Sequence, residues 1–307
     1  MADMNTSNWS KSVSRAYVTE YIGLGYKDKP DMTPMIATVK STDGTPVQEV
    51  TLASGLGTMY ITAEGGANIY DNGTQLRTQQ YVPTSYRLGF SVTKDLIRDG
   101  KGINLVAEMS KELGCAYRET RVIAAHDIYN GAFGGSIKSA DNATLIGNAH
   151  STSAGTLSNV LTVAAVLSEA SLEQARIEMV AGVGFNDRGI RKNVMTRTLY
   201  VPVALEAEAN RILYSEKRVG TADNDLNALK YMGAFPGGLV VSPYFTSATA
   251  YFIGTDVTAN GVTMWDHQGY EYDTDVDFDT DTSKHKIHAR FMAACPEWRA
   301  LFGSAGV

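Results

Sequence analysis

The chain has 307 residues, 44% of them hydrophobic and 20% charged, which is enough apolar material for a sizeable core and argues against a disordered chain. Its formal net charge of -6 argues against a sequence-specific nucleic-acid binder, which carries a basic balance. Cys115 and Cys295 are too few and too distant for a disulfide framework or a metal-ligand spacing, and read as two thiols in a reducing compartment.

Residues 1–34 read as an N-terminal arm: polar, with a weak amphipathic stretch over 13–22 and no secretory leader pattern. From 35 to 92 the pattern is β. Residues 36–40 and 47–52 flank Thr42-Asp43-Gly44-Thr45, a hairpin turn signal, and Asp71-Asn72-Gly73 is a second one. Val82, Thr84, Tyr86, Leu88, Phe90 and Val92 then alternate with the residues between them, the period of a half-buried strand. Residues 64–80 are polar and glycine-rich, with too few apolar side chains to pack on their own body. An extended hairpin loop of this kind flexes in solvent or lies on a neighbouring molecule.

Residues 93–130 carry apolar side chains at three- and four-residue spacing, among them Leu96, Val106, Met109, Leu113, Tyr117, Ala124 and Ile128. This predicts a long helix, a spine, interrupted at Asp99-Gly100-Lys101-Gly102. A glycine-, serine- and asparagine-rich connection follows over 131–153. Ser171 to Gln174 has the spacing of a capping box and predicts a helix start. A strand over 199–201, a short helix over 205–213 and strands over 238–241 and 250–253 complete a compact α+β unit.

Near the end, Asp273, Asp275, Asp277, Asp279 and Asp281 occupy alternate positions, as do Lys284, Lys286, His288 and Arg290. A two-residue turn at Thr282-Ser283 would set Asp281 against Lys284, Asp279 against Lys286, Asp277 against His288 and Asp275 against Arg290. The opposite face would carry Phe278 beside Ile287 and Val276 beside Ala289. Such a ladder fixes register as well as adding stability.

Catalytic and metal motifs fail on inspection. The Asp run opens like an EF-hand loop, but Phe278 stands where glycine is required and Lys284 where glutamate is. His285 and His288 fall on opposite faces of a strand and share no metal. His126 and Asp127 are helix neighbours that do not face each other. Residues 131–136 are glycine-rich but lack the Lys-Ser/Thr end of a phosphate loop. Arg87, Lys94, Arg98, Lys101, Arg118 and Arg121 put positive charge on the spine region, either to contact nucleic acid or acidic neighbours or as a solvated face.

Taken in order, these stretches resemble the major capsid proteins of tailed phages, the fold named after phage Hong Kong ninety-seven. Glu64-Gly65, Ile69-Tyr70-Asp71, Gln75, Tyr81-Val82 and residues 86–96 resemble the extended loop entering the spine helix. Residues 194–202 with Leu205-Glu206-Ala207 resemble the axial-domain strand and its helix. Residues 220–227 and 238–244 are similar to a stretch of Mu-like major head subunits, and Arg290-Phe291 with residues 298–303 to the family's C-terminal end.

The resemblance implies an α+β capsid fold divided as arm 1–34, extended loop and flanking strands 35–92, peripheral domain with spine helix 93–150, axial domain 151–262 and a return to the peripheral sheet over 263–307. It implies pentamers and hexamers closing into an icosahedral head around double-stranded DNA, assembled in a host cytoplasm. The loop, with Glu64, Tyr70, Asp71, Gln75 and Arg77, would lie across a neighbouring subunit. The expected partners are other copies of the chain, a scaffolding protein, a portal and a decoration protein. No catalytic residue, cofactor, metal or membrane is implied. No position matches the family's Lys–Asn cross-link. Rival readings are an encapsulin-type compartment shell, a soluble hydrolase with a triad assembled by folding, and a monomeric carbohydrate-binding β protein.

Overall fold

A computed structural model describes residues 15–42, 44–98, 102–152, 155–217, 226–258, 260–277 and 279–306. Helices α1 (Arg15–Lys27) and α2 (Thr33–Ile36) precede strand β1 (Thr38–Ser41). Strands β2 (Gln48–Ala53) and β3 (Gln75–Tyr81) flank a long connection, and β4 (Thr84–Thr93) leads into α3 (Lys94–Arg98) and α4 (Gly102–Asn130). Next come β5 (His150–Thr152), β6 (Gly155–Leu157), α5 (Glu169–Gly182), β7 (Thr196–Pro202), α6 (Glu206–Tyr214) and α7 (Ala228–Tyr231). The chain finishes with β8 (Leu239–Ser242), β9 (Tyr251–Thr255), β10 (Thr263–Asp277), β11 (Thr282–Ala294) and β12 (Leu301–Ser304).

Among the described residues, one four-stranded sheet has the order β1-β10-β11-β4 and a second the order β12-β9-β7-β8. The first packs on α4, the 29-residue spine. On β11 the buried His285, Ile287, Ala289 and Phe291 alternate with more exposed residues, as a one-sided sheet requires. Phe291 stacks on Tyr86 at 4.3 Å and meets Tyr117 of α4 edge-on at 6.3 Å. The second sheet has α5 beside β12 and α6 beside β7 and β8. Tyr129, near the end of α4, reaches between the sheets: its ring meets Phe252 of β9 at 5.3 Å and its hydroxyl donates to the Ile36 carbonyl at 2.7 Å.

Helix α1 lies directly against α4. Added Cβ atoms would stand 1.9 Å from the Lys111 carbonyl oxygen at Gly25 and 2.1 Å from the Ile22 carbonyl oxygen at Gly114. Only glycine permits this approach. Arg118, read in the sequence as possible surface charge, is buried and donates to the carbonyls of Gly25, Tyr26 and Lys29 at 3.2, 3.3 and 3.4 Å. Its role is to satisfy the open end of α1. Arg121 is also buried and pairs with Asp266 at 2.7 Å. Burial raises the Asp266 carboxyl's pKa despite that partner. Lys101 and the side chain of Arg98 lie outside the described residues.

Two local expectations are corrected. Thr45 does turn back on Thr42, its backbone N–H 3.0 Å from that carbonyl, but β1 and β2 do not form a hairpin. Instead β1 runs parallel to β10 and β2 pairs with β3. A turn signal sets a change of direction, and packing decides the partner: Ile36 enters the main core, whereas Val50 packs on Trp265 and Met292. Asp43 lies outside the described residues. The capping box at α5 is Ser168 with Ser171, each side chain bonding the other's backbone N–H, so the helix starts earlier than expected.

The terminal hairpin is present in a different register. Strand β10 ends at Asp277 and β11 begins at Thr282, so Asp275 faces Lys284, Asp273 faces Lys286, Glu271 faces His288 and Gln268 faces Arg290. Asp277 faces Thr282, and its carboxylate reaches the Lys284 ammonium at 2.8 Å. Asp279 is exposed in the loop, while Asp281 sits at φ 52 and its carboxylate meets Lys94 at 3.0 Å. Tyr272, not Phe278, stands opposite Ile287; Phe278 itself lies outside the described residues. Val276 faces Ser283 rather than Ala289. The cause is buried packing: Tyr272 bonds His285 at 2.6 Å, and β11 is held on its other side by β4. Those contacts outweigh an exposed charge ladder.

Candidate assembly surface: the extended loop and its mounting

The base of the loop is a two-stranded ribbon. Thr51 and Thr78 hydroxyls bond across it at 3.1 Å, and Tyr81 stacks on Trp265 at 5.6 Å. The ribbon closes at a neck: Ser54 N–H donates to the Thr74 carbonyl at 2.9 Å, and Thr74 N–H returns to the Ser54 hydroxyl at 3.0 Å. Beyond the neck there is no regular strand. The backbone turns at residues 63–66, with Gly65 at φ 80.

The side chains beyond the neck are unexpectedly apolar and open. Met59 is 100% exposed and Tyr70 86%, and Leu56, Tyr60, Ile61 and Ile69 are exposed with them. A cluster of large apolar residues left uncovered in one segment marks an interaction surface.

The mounting is polar. The Asp71 carboxylate accepts from Gly57 N–H at 2.6 Å and from the Arg188 guanidinium at 2.5 Å. These two contacts, Gly57 first, hold its carboxyl below the usual range. Arg77 approaches Asp141 at 3.9 Å. The Asp141 side chain is largely covered and bonds His150 at 2.6 Å; burial opposes its charge, but the His150 and Ser139 contacts keep its carboxyl below the usual range. Gln75 bonds Thr78 at 2.7 Å.

Of the five loop residues singled out from the sequence, Asp71 and Arg77 are therefore engaged with the chain's own body, Glu64, Tyr70 and Gln75 are exposed, and Gln75 bonds only within the ribbon. The sequence reading missed residues 56–61, whose Leu-Gly-Thr-Met-Tyr-Ile run precedes the stretch taken as the loop. It also missed Arg188, whose only signal is a tight Asn-Asp-Arg-Gly turn.

His126 is fully buried, bonded through Nδ1 to the Val122 carbonyl and through Nε2 to Ser242, each at 2.7 Å. Among the described residues no group of His, Cys, Asp and Glu could hold a metal, and no helix is long and apolar enough to cross a membrane. Both cysteines are free.

Solved structures share this fold. The chain aligns with a protein of Mycobacterium phage Patience at TM-score 0.56 and 13% identity, covering 98% of this chain and 89% of that one. It aligns with the virus-like particle from Pyrococcus furiosus at 0.55 and 8%, covering 94% and 98%. The capsid of Myoviridae phage XM1 aligns at 0.54 and 9%, covering 91% and 92%. No curated protein matches. At these identities the likeness establishes the fold alone, the α+β capsid fold anticipated from the order of elements. The family model for phage capsid proteins, however, matches residues 74–303, most of the sequence and every element from the neck onward. The chain belongs to the phage capsid protein family, and is a structural protein of the virion shell.

Proposed function

We propose that this chain is the major capsid subunit of a tailed phage, forming pentamers and hexamers that close into an icosahedral head around double-stranded DNA. The observation that carries this reading is the loop at 55–73. It exposes Leu56, Met59, Tyr60, Ile61, Ile69 and Tyr70, which its own fold leaves uncovered. A second copy is the natural cover, with Glu64 and Tyr70 at the contact. In this reading the domains follow the divisions at 34, 92, 150 and 262, and the chain assembles in a host cytoplasm with a scaffolding protein, a portal and a decoration protein as further partners.

Electron microscopy of the purified chain, alone and with scaffolding protein, tests it. Closed particles or ring-shaped capsomers are expected; a monomer under every condition overturns it. Replacing residues 58–69 by a short Gly-Ser link should leave a folded subunit that no longer assembles. The contents of the particles separate a head from a cargo compartment: long nucleic acid in the first, an enclosed protein in the second.

A further inference from the structure

Residues 185–191 form a finger between α5 and β7. Asn186 closes it: its side-chain oxygen accepts from Arg188 N–H at 3.0 Å and Ile190 N–H at 2.8 Å, and Gly189 sits at φ 76. The finger is bolted to the body by Arg299, which donates to the Phe185 carbonyl at 2.9 Å and to Asp187 at 3.1 Å. Arg299 is itself buried, paired with Glu297 at 2.9 Å and lying over the Trp298 ring at 4.4 Å. A rigid support therefore carries Arg188 toward the extended loop.

At the loop, Arg188 spreads its donors over three residues. One terminal nitrogen meets the Asp71 carboxylate at 2.5 Å, the other the Asn72 carbonyl at 2.7 Å, and Nε lies 3.4 Å from the Ser54 hydroxyl. Ser54 and Asn72 belong to opposite limbs of the loop. The same Asp71 oxygen holds Gly57 on the first limb. One planar, forked cation thus ties both limbs to each other and to the body, which a point-charge ammonium does not reproduce.

We propose that Arg188 is a latch: it fixes the extended loop in one direction on the free subunit, so that the apolar lobe beyond it is presented ready-made to a second copy. The lobe's partner rests on the shell reading above; the latch does not. Fixing the loop beforehand removes ordering entropy from the association step.

Hydrogen exchange on the full-length, unassembled chain tests the latch. Arg188→Ala should speed exchange of the hydrogen-bonded amides at the loop's neck, Ser54, Gly57 and Thr74, by about tenfold or more, while α4 and β11 stay protected. Arg188→Lys should fall between. Asp71→Asn, which lies on the loop and leaves the body's contacts alone, should repeat the effect if Arg188→Ala disturbs folding. Unchanged exchange at Ser54, Gly57 and Thr74 in both Arg188→Ala and Asp71→Asn overturns the latch. Because this measurement needs no particle, its failure is separate from failure to assemble. In assembly assays with wild-type loop residues, Arg188→Ala should lengthen the lag; an unchanged lag overturns the presenting role.

Discussion

Two long hairpins among the described residues are of opposite character. The β10–β11 hairpin sits inside a four-stranded sheet with α4 across one face, and its partners bury Tyr272, Ile287 and Phe291. The β2–β3 hairpin is a two-stranded ribbon with no fully buried side chain, steadied by Val50 and Tyr81 against Trp265. A ribbon of two strands is marginal by itself in water. Burial thus decides the first hairpin's register, while attachments at its edges, Trp265, Asp141 and Arg188, decide the second's direction. The first is a component of the subunit's stability; in the shell reading proposed above, the second is a component of its association.

The sharpest way to break that division is to cut one side chain from each. Phe291→Ala should lower unfolding free energy by about 3–5 kcal/mol, through lost burial and a residual cavity. Tyr70→Ser should change it by less than about 0.5 kcal/mol, since the ring is open to solvent, yet abolish particles. Urea unfolding and electron microscopy on the same preparations check both halves. A Tyr70→Ser variant that assembles normally would remove the loop from the association side.

Acid sharpens the comparison further. Burial holds His126 and His285 below the usual histidine value, so both are neutral when folded and take up protons on unfolding. The stability they allow is complete above the unfolded value of about 6.5 and is lost as pH falls through it toward the lower folded values. The urea midpoint should therefore drop between pH 7.5 and 5.5, with the sheet and spine losing protection together. His126→Gln should flatten that slope. A midpoint flat across this range would contradict the burial assigned to these rings.

The smallest effect is expected at the hairpin's exposed end. Reversing the charge of Asp277 or of Lys284 should shift the midpoint slightly, and the double reversal should recover part of it. The recovery should fade at high salt. Asp279 with Lys286, the pairing the simplest turn would give, should show no coupling.

The same contrast explains what could be read in advance. The spine helix, the alternation of β4 and the strands of the second sheet follow from periodic apolar residues, which report burial directly. Register and partner choice do not: Tyr272 displaces Phe278 because of a bond to His285, and β1 joins β10 across more than two hundred positions of chain. The element order of a capsid subunit was legible. The loop's apolar lobe was only half legible, because Leu56, Met59, Tyr60 and Ile61 fall in a run that reads as flanking strand. Arg188 was not legible at all, since its meaning depends on a neighbour brought to it only by folding.

The contact between Lys94 and Asp281 joins two distant parts of the chain. Lys94, first residue of α3, donates its backbone N–H to the Asp281 carbonyl at 3.1 Å and extends its ammonium to the same residue's carboxylate. The start of α3 and the far tip of the terminal hairpin thus share an anchor, with β4 ending beside it. Helix α3 and the tip of the sheet are therefore tied together at that end. In the shell reading proposed above, adjustment to the differing angles between neighbours would fall to parts away from that anchor, the loop on its Arg188 mounting and the glycine-rich connection after α4.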